Sequence, residues 1–470
     1  MRSLTFWGVW LLLALTVGAG AFVYHTRNYT LVSGGLPPER VVEMNRLKVV
    51  GYRGQEKAWE IESAYTWTGV DKNTGFFEDI RNGTLFEKGR VVMAGLYAHK
   101  GKGDSQREWL EAEGAVRADV YLQRPDKIRY LNVACSKLYY NSNIRKSIAE
   151  GAVSLNYEGS VIDTQKAEIN HENNEVFVPV GFSLHSVRSI VTAQELWADL
   201  DTEVTTVNRD VQWWLFDADQ PDQPSTTLNC QQLTFLLNDT SGNEVRFNGR
   251  VKFIRSDHEA FAGRGSYQDG KGNLKLQDQV ELVLVDRGTV IHARELSARI
   301  VTADQSLTEA TFSGDVDIQE RDKALRSERG AFYRKRDMLE LYGNAQMHVH
   351  EFRDLIRPES AERIENPTVV SALRKPALLM ADMLQLERKT QNAQASGNVL
   401  VIQKEQRARA QHARYIEAED IIELDDQVSI LKDNGEWISA RRVVAHLNEE
   451  SFEAIGQVET EFLLERKRQD

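Results

Sequence analysis

A short phrase recurs through the second half of this 470-residue chain: a turn residue, one polar residue, then alternating apolar residues. It is seen at Gly249-Arg250-Val251, Asp278-Gln279-Val280, Gly314-Asp315-Val316, Gly343-Asn344-Ala345, Gly397-Asn398-Val399, Asp426-Gln427-Val428 and Gly456-Gln457-Val458. The third positions stand 29, 36, 29, 54, 29 and 30 residues apart, and the long gap holds a proline-rich stretch near 357–376 that reads as an insertion with a short helix at Ala361–Ile364. A weaker pair, Gly114-Ala115-Val116 and Gly151-Ala152-Val153, carries the pattern into the first half. Self-similarity at a fixed period is the mark of stacked units, each too small to bury its own apolar face.

Successive strand residues point to opposite sides, so the alternation sorts side chains into two faces. Val316 and Ile318 oppose Asp315, Asp317 and Gln319, and Ala345, Met347 and Val349 oppose Gln346, His348 and His350. The same rule gathers Val251, Phe253, Val280, Leu282, Val399, Val401, Val428, Ile430, Val458 and Phe462 onto the apolar face. Stacked repeats turn that face into a continuous trough or a sandwich interior; a dry β-core shows the same alternation. Gly, Asn and Asp between short apolar runs predict antiparallel strands with tight turns and an all-β fold. A right-handed β-helix, the architecture of some polysaccharide-active enzymes, has shorter coils of roughly 20–25 residues.

The start of the chain differs. Leu4–Val23 is twenty residues without a charge, with Arg2 before and Arg27 after. A helix of ~20 residues crosses the ~30 Å hydrocarbon layer, and Trp7, Trp10 and Tyr24 suit interfacial positions. The rival is a cleaved signal peptide ending at Ala19-Gly20-Ala21. Either reading sends the remainder across a membrane. Ser33–Pro38 reads as a linker, and Pro221–Ser225 as a break dividing residues 40–225 from 226–470.

The net charge of −12 argues against an electrostatic grip on nucleic acid. Cys135 and Cys230 are too few for a disulfide scaffold and read as buried thiols, with a bridge as the alternative. Gly265–Lys271 misses a phosphate-binding loop, because Gly272 stands where Ser or Thr is needed, and reads as a hairpin turn. His348 with His350 has no third ligand at metal-site spacing, and Asp315 with Asp317 identifies no acid and base, so solvated polar faces are expected. Trp213-Trp214 reads as packing, with a sugar platform as the alternative. No nucleophile elbow, HExxH or cofactor fingerprint occurs, so neither cofactor nor enzyme activity is expected.

Leu339–Met347, Ala395–Ile402 and Ile422–Ile430 resemble the OstA-type repeat of periplasmic lipopolysaccharide-transport proteins, over roughly 245–465. The N-terminal run, with Asn173–Val178 and Ile190–Ala193, resembles the inner-membrane-anchored member, LptC; this chain is far longer and reads as an LptC-like module (40–225) followed by LptA-like repeats (226–470) behind an anchor (1–30). The resemblance implies open β-jellyroll modules whose apolar groove, here the residues of the apolar face named above other than Ala345, takes up acyl chains. It also implies edge-to-edge pairing with other β-jellyroll modules, an inner-membrane ABC transporter as partner, and a single-pass protein mostly in the periplasm. The alternative function is an envelope scaffold with a dry core.

Overall fold

The computed structural model describes residues 42–461 apart from 54, 71–72, 105, 123–128, 218–219, 237–242, 269–270, 286–287, 301–306, 351–374, 405, 420 and 447–450. The anchor, the Ser33–Pro38 linker, most of the 357–376 insertion with its expected helix, and Phe462 lie outside the described residues. Among the described residues there are 28 strands and one short 3-10 helix, Glu417–Glu419, and no helix is long and apolar enough to cross a membrane. The all-β, antiparallel expectation is met.

Contacts divide the chain into two compact units. One takes the residues through Leu155 with Glu168–Glu172, and the other takes Asn156–Ala167 with Asn173 onward. The first holds β1 (Val42–Arg53), β2 (Glu56–Thr68), β3 (Thr74–Glu87), β4 (Arg90–Asp104), β5 (Trp109–Leu122), β6 (Arg129–Asn141) and most of β7 (Lys146–Tyr157). From β1 to β6, each strand pairs antiparallel with the next.

The second unit opens with most of β8 (Ser160–Asn170), then the short strands β9 (Glu175–Val178), β10 (Phe182–Ser186), β11 (Ser189–Ala193) and β12 (Glu195–Asp199). The meander continues through β13 (Val204–Asp217), β14 (Gln220–Leu236), β15 (Glu244–Arg255), β16 (His258–Gln268), β17 (Asn273–Leu284), β18 (Thr289–Ile300) and β19 (Leu307–Gln319). It ends with β20 (Lys323–Tyr333), β21 (Met338–Val349), β22 (Ala377–Glu387), β23 (Asn392–Gln403), β24 (Gln406–Ile416), β25 (Ile421–Lys432), β26 (Trp437–His446), β27 (Ser451–Ile455) and β28 (Glu459–Glu461). The last two are short pieces that both pair with β26.

Pro221–Ser225 is not a break in the strand pattern. It opens β14, and Pro224 pairs with Phe216 where the β13–β14 ladder shifts register. The β14–β15 ladder begins only at Thr226, so these prolines sit where an amide donor is dispensable. The division by contacts falls earlier in the chain.

The repeated phrase is likewise not a turn between strands. Six of the seven phrases lie in the middle of the odd-numbered strands from β15 to β25, β13 carries an equivalent at Arg209-Asp210, and Gly456-Gln457-Val458 falls in the bend between β27 and β28. Both leading residues have left-handed backbones: φ is 77° and 51° at Gly249-Arg250, 67° and 59° at Asp278-Gln279, and 78° and 52° at Gly314-Asp315. At each site the ladder to the following strand sets two residues against one, as Gly249-Arg250 against Gly263 and Gly314-Asp315 against Glu328. This is a β-bulge, which bends the strand and tightens its twist. Repeated in register from strand to strand, it divides every long strand into two arms.

Where the leading residue is glycine, two features favour it. The backbone is left-handed, and the preceding strand's side chain covers the site: a Cβ at Gly314 would lie 2.9 Å from Arg294, and one at Gly343 would lie 2.6 Å from Glu328. Where the neighbour is itself Gly263, the bulge carries Asp278 instead. Arg264 Nε donates to Asp278 at 3.0 Å, Asn344 Nδ2 to Glu328 at 2.8 Å and Asn398 Nδ2 to Asp382 at 2.9 Å, so the bulges share a polar rib.

The inside of the bend is crowded. The residue after each bulge pairs with a small one on the next strand: Val211 with Cys230, Val251 with Ala262, Val280 with Ala293, Val316 with Ser327, Val399 with Ala410 and Val428 with Ala440. Val116 pairs with Cys135 in the same way in the first unit. The cysteines are buried free thiols at small-residue positions. Burial pushes Cys135 up to about 11 and Cys230 up to about 12, so both stay protonated and unreactive.

Candidate functional site

In the second unit the arms fold toward each other. Phe247 and Phe253 lie on either side of the β15 bulge, six residues apart, which is roughly 20 Å along a straight strand. Their ring centroids are 5.1 Å apart, edge to face. Phe235 pairs with Thr205, eight residues and roughly 26 Å along the strand from Trp213, yet the Trp213 and Phe235 rings meet at 5.5 Å.

Between the arms lies an apolar slot of about 80 Å³. One wall comes from arms before the odd-strand bulges and includes Phe247, Leu276, Leu296 and Ala310. The other comes from arms beyond them and includes Trp213, Phe253, Ala260 and Leu282. Among the residues expected on the apolar face, Phe253 and Leu282 line this slot. Val251, Val280, Val316, Ile318, Met347, Val349, Val399 and Val428 are buried, and Val401 and Ile430 are half-buried. Val458 departs from expectation: it lies in a bend between β27 and β28 and is 44% exposed, with no other strand among the described residues over it.

Sequence reading missed Phe247, Leu276 and Ala310 because it counted the apolar face only from each phrase onward, although the two-residue bulge keeps their parity with Val251, Val280 and Val316. It missed Leu296 because the even strands switch phase at the residue facing the bulge: Ile291 and Ala293 are buried before Arg294, and Leu296 and Ala298 after it. A constant two-residue alternation loses one arm of every such strand. The tell-tale signal is a buried pair spaced by three, here Ala293 and Leu296.

The rims of the fold are clasped by charge. Asp257, in the turn between β15 and β16, accepts from Arg334 at 2.9 Å; Arg334 lies at the opposite tip, between β20 and β21. Glu320, between β19 and β20, pairs with Arg388 at the opposite tip, between β22 and β23, and both are largely buried. The first unit repeats the device: Arg53 pairs with Glu108 at 2.5 Å, and Glu87 with Arg145 at 2.5 Å, each joining opposite tips. No sequence spacing announces these pairs, because they join turns 55 to 77 residues apart.

The Asp257 clasp holds a third partner. His258 Nδ1 lies 2.8 Å from Asp257, and Arg255 Nε lies 3.5 Å away. Burial raises the Asp257 carboxyl, but His258 and Arg334 outweigh it and the net shift is downward. His258 is shifted down chiefly by burial, so it is mostly neutral at pH 7.

The polar candidates are structural. His348 and His350 are exposed and oppose buried Ala345, Met347 and Val349, as the alternation requires. Asp315 pairs with Arg294, and Asp317 with Arg326 at 3.0 Å. Gly265–Lys271 covers the end of β16 and the connection to β17. No group of three or more His, Cys, Asp or Glu that could hold a metal occurs among the described residues. In the first unit Ser147 Oγ lies 2.7 Å from His171 Nε2, but Ser147 is fully buried and no substrate reaches the pair.

No curated protein matches the chain. A solved structure, LptH of Pseudomonas aeruginosa, the LptA homologous periplasmic component of its lipopolysaccharide transport device, aligns at 11% identity and a TM-score of 0.18, covering 38% of this chain and 97% of that one. Residues 295–451 match the family model described as LptA/(LptD N-terminal domain) LPS transport protein. That segment holds strands β19 to β26 with four of the seven repeated phrases, and the expected likeness to LptC is not part of it. Over this third of its length, the chain is similar to the lipopolysaccharide-transport family.

Proposed function

We propose that this chain is a periplasmic component of lipopolysaccharide transport that shelters acyl chains between the strand arms and performs no bond chemistry. The observation that carries the reading is the folded strand: apolar side chains from the two arms of one strand face each other, as Phe247 and Phe253 do. The match over 295–451 supports the same pathway. An acyl chain leaving a membrane loses ~0.8 kcal/mol per CH₂ exposed to water. A wall of Val, Leu, Ile and Phe offsets that cost without tight polar recognition, so the lipid slides onward. In this reading Leu4–Val23 is a single-pass inner-membrane anchor, an ABC transporter supplies the lipid, and exposed strand edges dock other β-modules into a bridge toward the outer membrane. The uncharged run and the resemblance to LptC support the anchor.

One observation favours a dry-core scaffold instead: the slot is narrow, and Phe247 touches Phe253 across it. Loading an acyl chain requires the arms to part and the clasps to yield. Mass spectrometry of lipid extracted from protein purified out of membranes decides between the two. Stoichiometric acylated lipid is expected; lipid-free protein that takes up none from donor vesicles overturns the transport reading.

A further inference from the structure

The first unit carries a slot of its own, outside the segment that matches the family model. Phe77, Leu110 and Tyr140 line one side and Trp59 and Leu85 the other, around a gap of about 30 Å³. Leu110 pairs with Tyr140 in register and Trp59 with Leu85, and Phe77 and Leu85 lie on either side of the register shift in the β2–β3 ladder. The Trp59 and Phe77 rings meet edge to face across the gap at 5.8 Å, as those of Trp213 and Phe235 do in the second unit at 5.5 Å.

The charged groups beside this gap are engaged with other groups of the protein. Arg53 donates to Glu108 and Ser142, and Asp104 accepts from the backbone amides of Gln106 and Arg107. Tyr140 differs. It is 5% exposed, and its hydroxyl has no hydrogen-bond partner among the described residues. Burial and the Glu87 carboxylate push its pKa up, so the phenol keeps its proton and remains a donor. Trp213 repeats the arrangement in the second unit: it is 9% exposed, lines the slot, and its indole N–H has no partner among the described residues. Buried donors in native proteins are nearly always paired, so an orphan marks a place where a partner is missing. An indole can only donate, so the group missing beside it is an acceptor, and an acceptor satisfies the tyrosine hydroxyl equally well.

Resting on the acyl-chain reading above, we infer that each slot takes a hydroxylated acyl chain, with Tyr140 in the first unit and Trp213 in the second donating to an oxygen carried on the hydrocarbon. A plain chain fills the same space but leaves both donors orphaned. The slots therefore select oxygenated chains over plain ones of equal length.

Calorimetric titration of the delipidated full chain with dodecanoate, 3-hydroxydodecanoate and 12-hydroxydodecanoate, each below its micelle concentration, tests this. The three share a carboxylate, so the head group cancels. A hydroxyl buried without a partner weakens binding about tenfold. In the wild type one of the hydroxy acids should bind at least as tightly as dodecanoate. With Tyr140→Phe and Trp213→Phe together it should fall about tenfold behind, while dodecanoate binding is retained. Preference for the 3-isomer places the oxygen beside the head group, and preference for the 12-isomer places it at the chain tip. Without ligand, Tyr140→Phe should melt no lower than the wild type, since it removes an unpaired hydroxyl. A lower melting temperature, a wild type that disfavours both hydroxy acids about tenfold, or a preference that the double variant leaves unchanged overturns the inference and leaves the acyl-chain reading standing. Failure of all three probes to bind overturns both.

Discussion

Gly314 and Asp315 show what one bulge demands. Both are left-handed, and Arg294 covers the glycine from the neighbouring strand while pairing with Asp315. Gly314→Ala should cost ~2 kcal/mol in denaturant unfolding, since a left-handed backbone alone costs roughly 1–2 kcal/mol for a residue with a Cβ. The Gly263–Asp278 arrangement indicates the remedy: Arg294→Gly in the same chain should recover part of the loss, giving a coupling above ~0.5 kcal/mol. Strict additivity would show that the covering side chain is irrelevant. His171 makes a second residue-scale case. It is 5% exposed, and burial pushes its pKa down from 6.5 to about 4. The unfolded state then binds the proton first as pH falls, so its stabilising share is complete above pH 6.5 and is lost on the way to about 4. That is ~3 kcal/mol over the window. Urea melts from pH 7.5 to 4 should show the slope, and His171→Gln should flatten it.

At the scale of elements, the strands were legible and their bends were not. Alternation located the buried faces at Val316–Ile318 and Met347–Val349, because two-residue periodicity is a direct consequence of strand geometry. The repeated Gly-x-Val phrase was legible as a repeat but read as a turn, since glycine and asparagine serve left-handed turns and left-handed bulges alike. The clasps were invisible, because register between turns some 70 residues apart depends on every intervening strand. Two measurements address these elements. Arg388→Ala leaves buried Glu320 with Lys323 at 3.2 Å as its remaining cation, so a loss of ~2 kcal/mol is expected, below that of a fully orphaned buried charge. At the C-terminal edge, β27 and β28 leave Phe452 58% and Ile455 45% exposed, beside Val458. Among the described residues β26 alone pairs with them, and an open edge with apolar side chains invites strand addition. Deleting 456–470 should abolish capture of a partner β-module in a pull-down while the remaining fold melts cooperatively; undiminished capture moves the contact elsewhere.

For the whole molecule, the account rests on the space between the arms being a lipid path and not a sealed core. The apolar face named from sequence runs from Val251 to Phe462, far longer than the slot bounded by Phe247 and Phe253, so a path requires the arms to part along many repeats. The clasps then act as local closures that a passing lipid opens in turn. Site-specific photo-crosslinking in cells exporting radiolabelled lipopolysaccharide tests this most directly. A photoreactive residue at Phe253, Val316 or Val428 should capture label, and one at Asp317 or Gln427, on the opposite face of the same strands, should not. Equal labelling of both sets, or none at either, would contradict an acyl path between the arms.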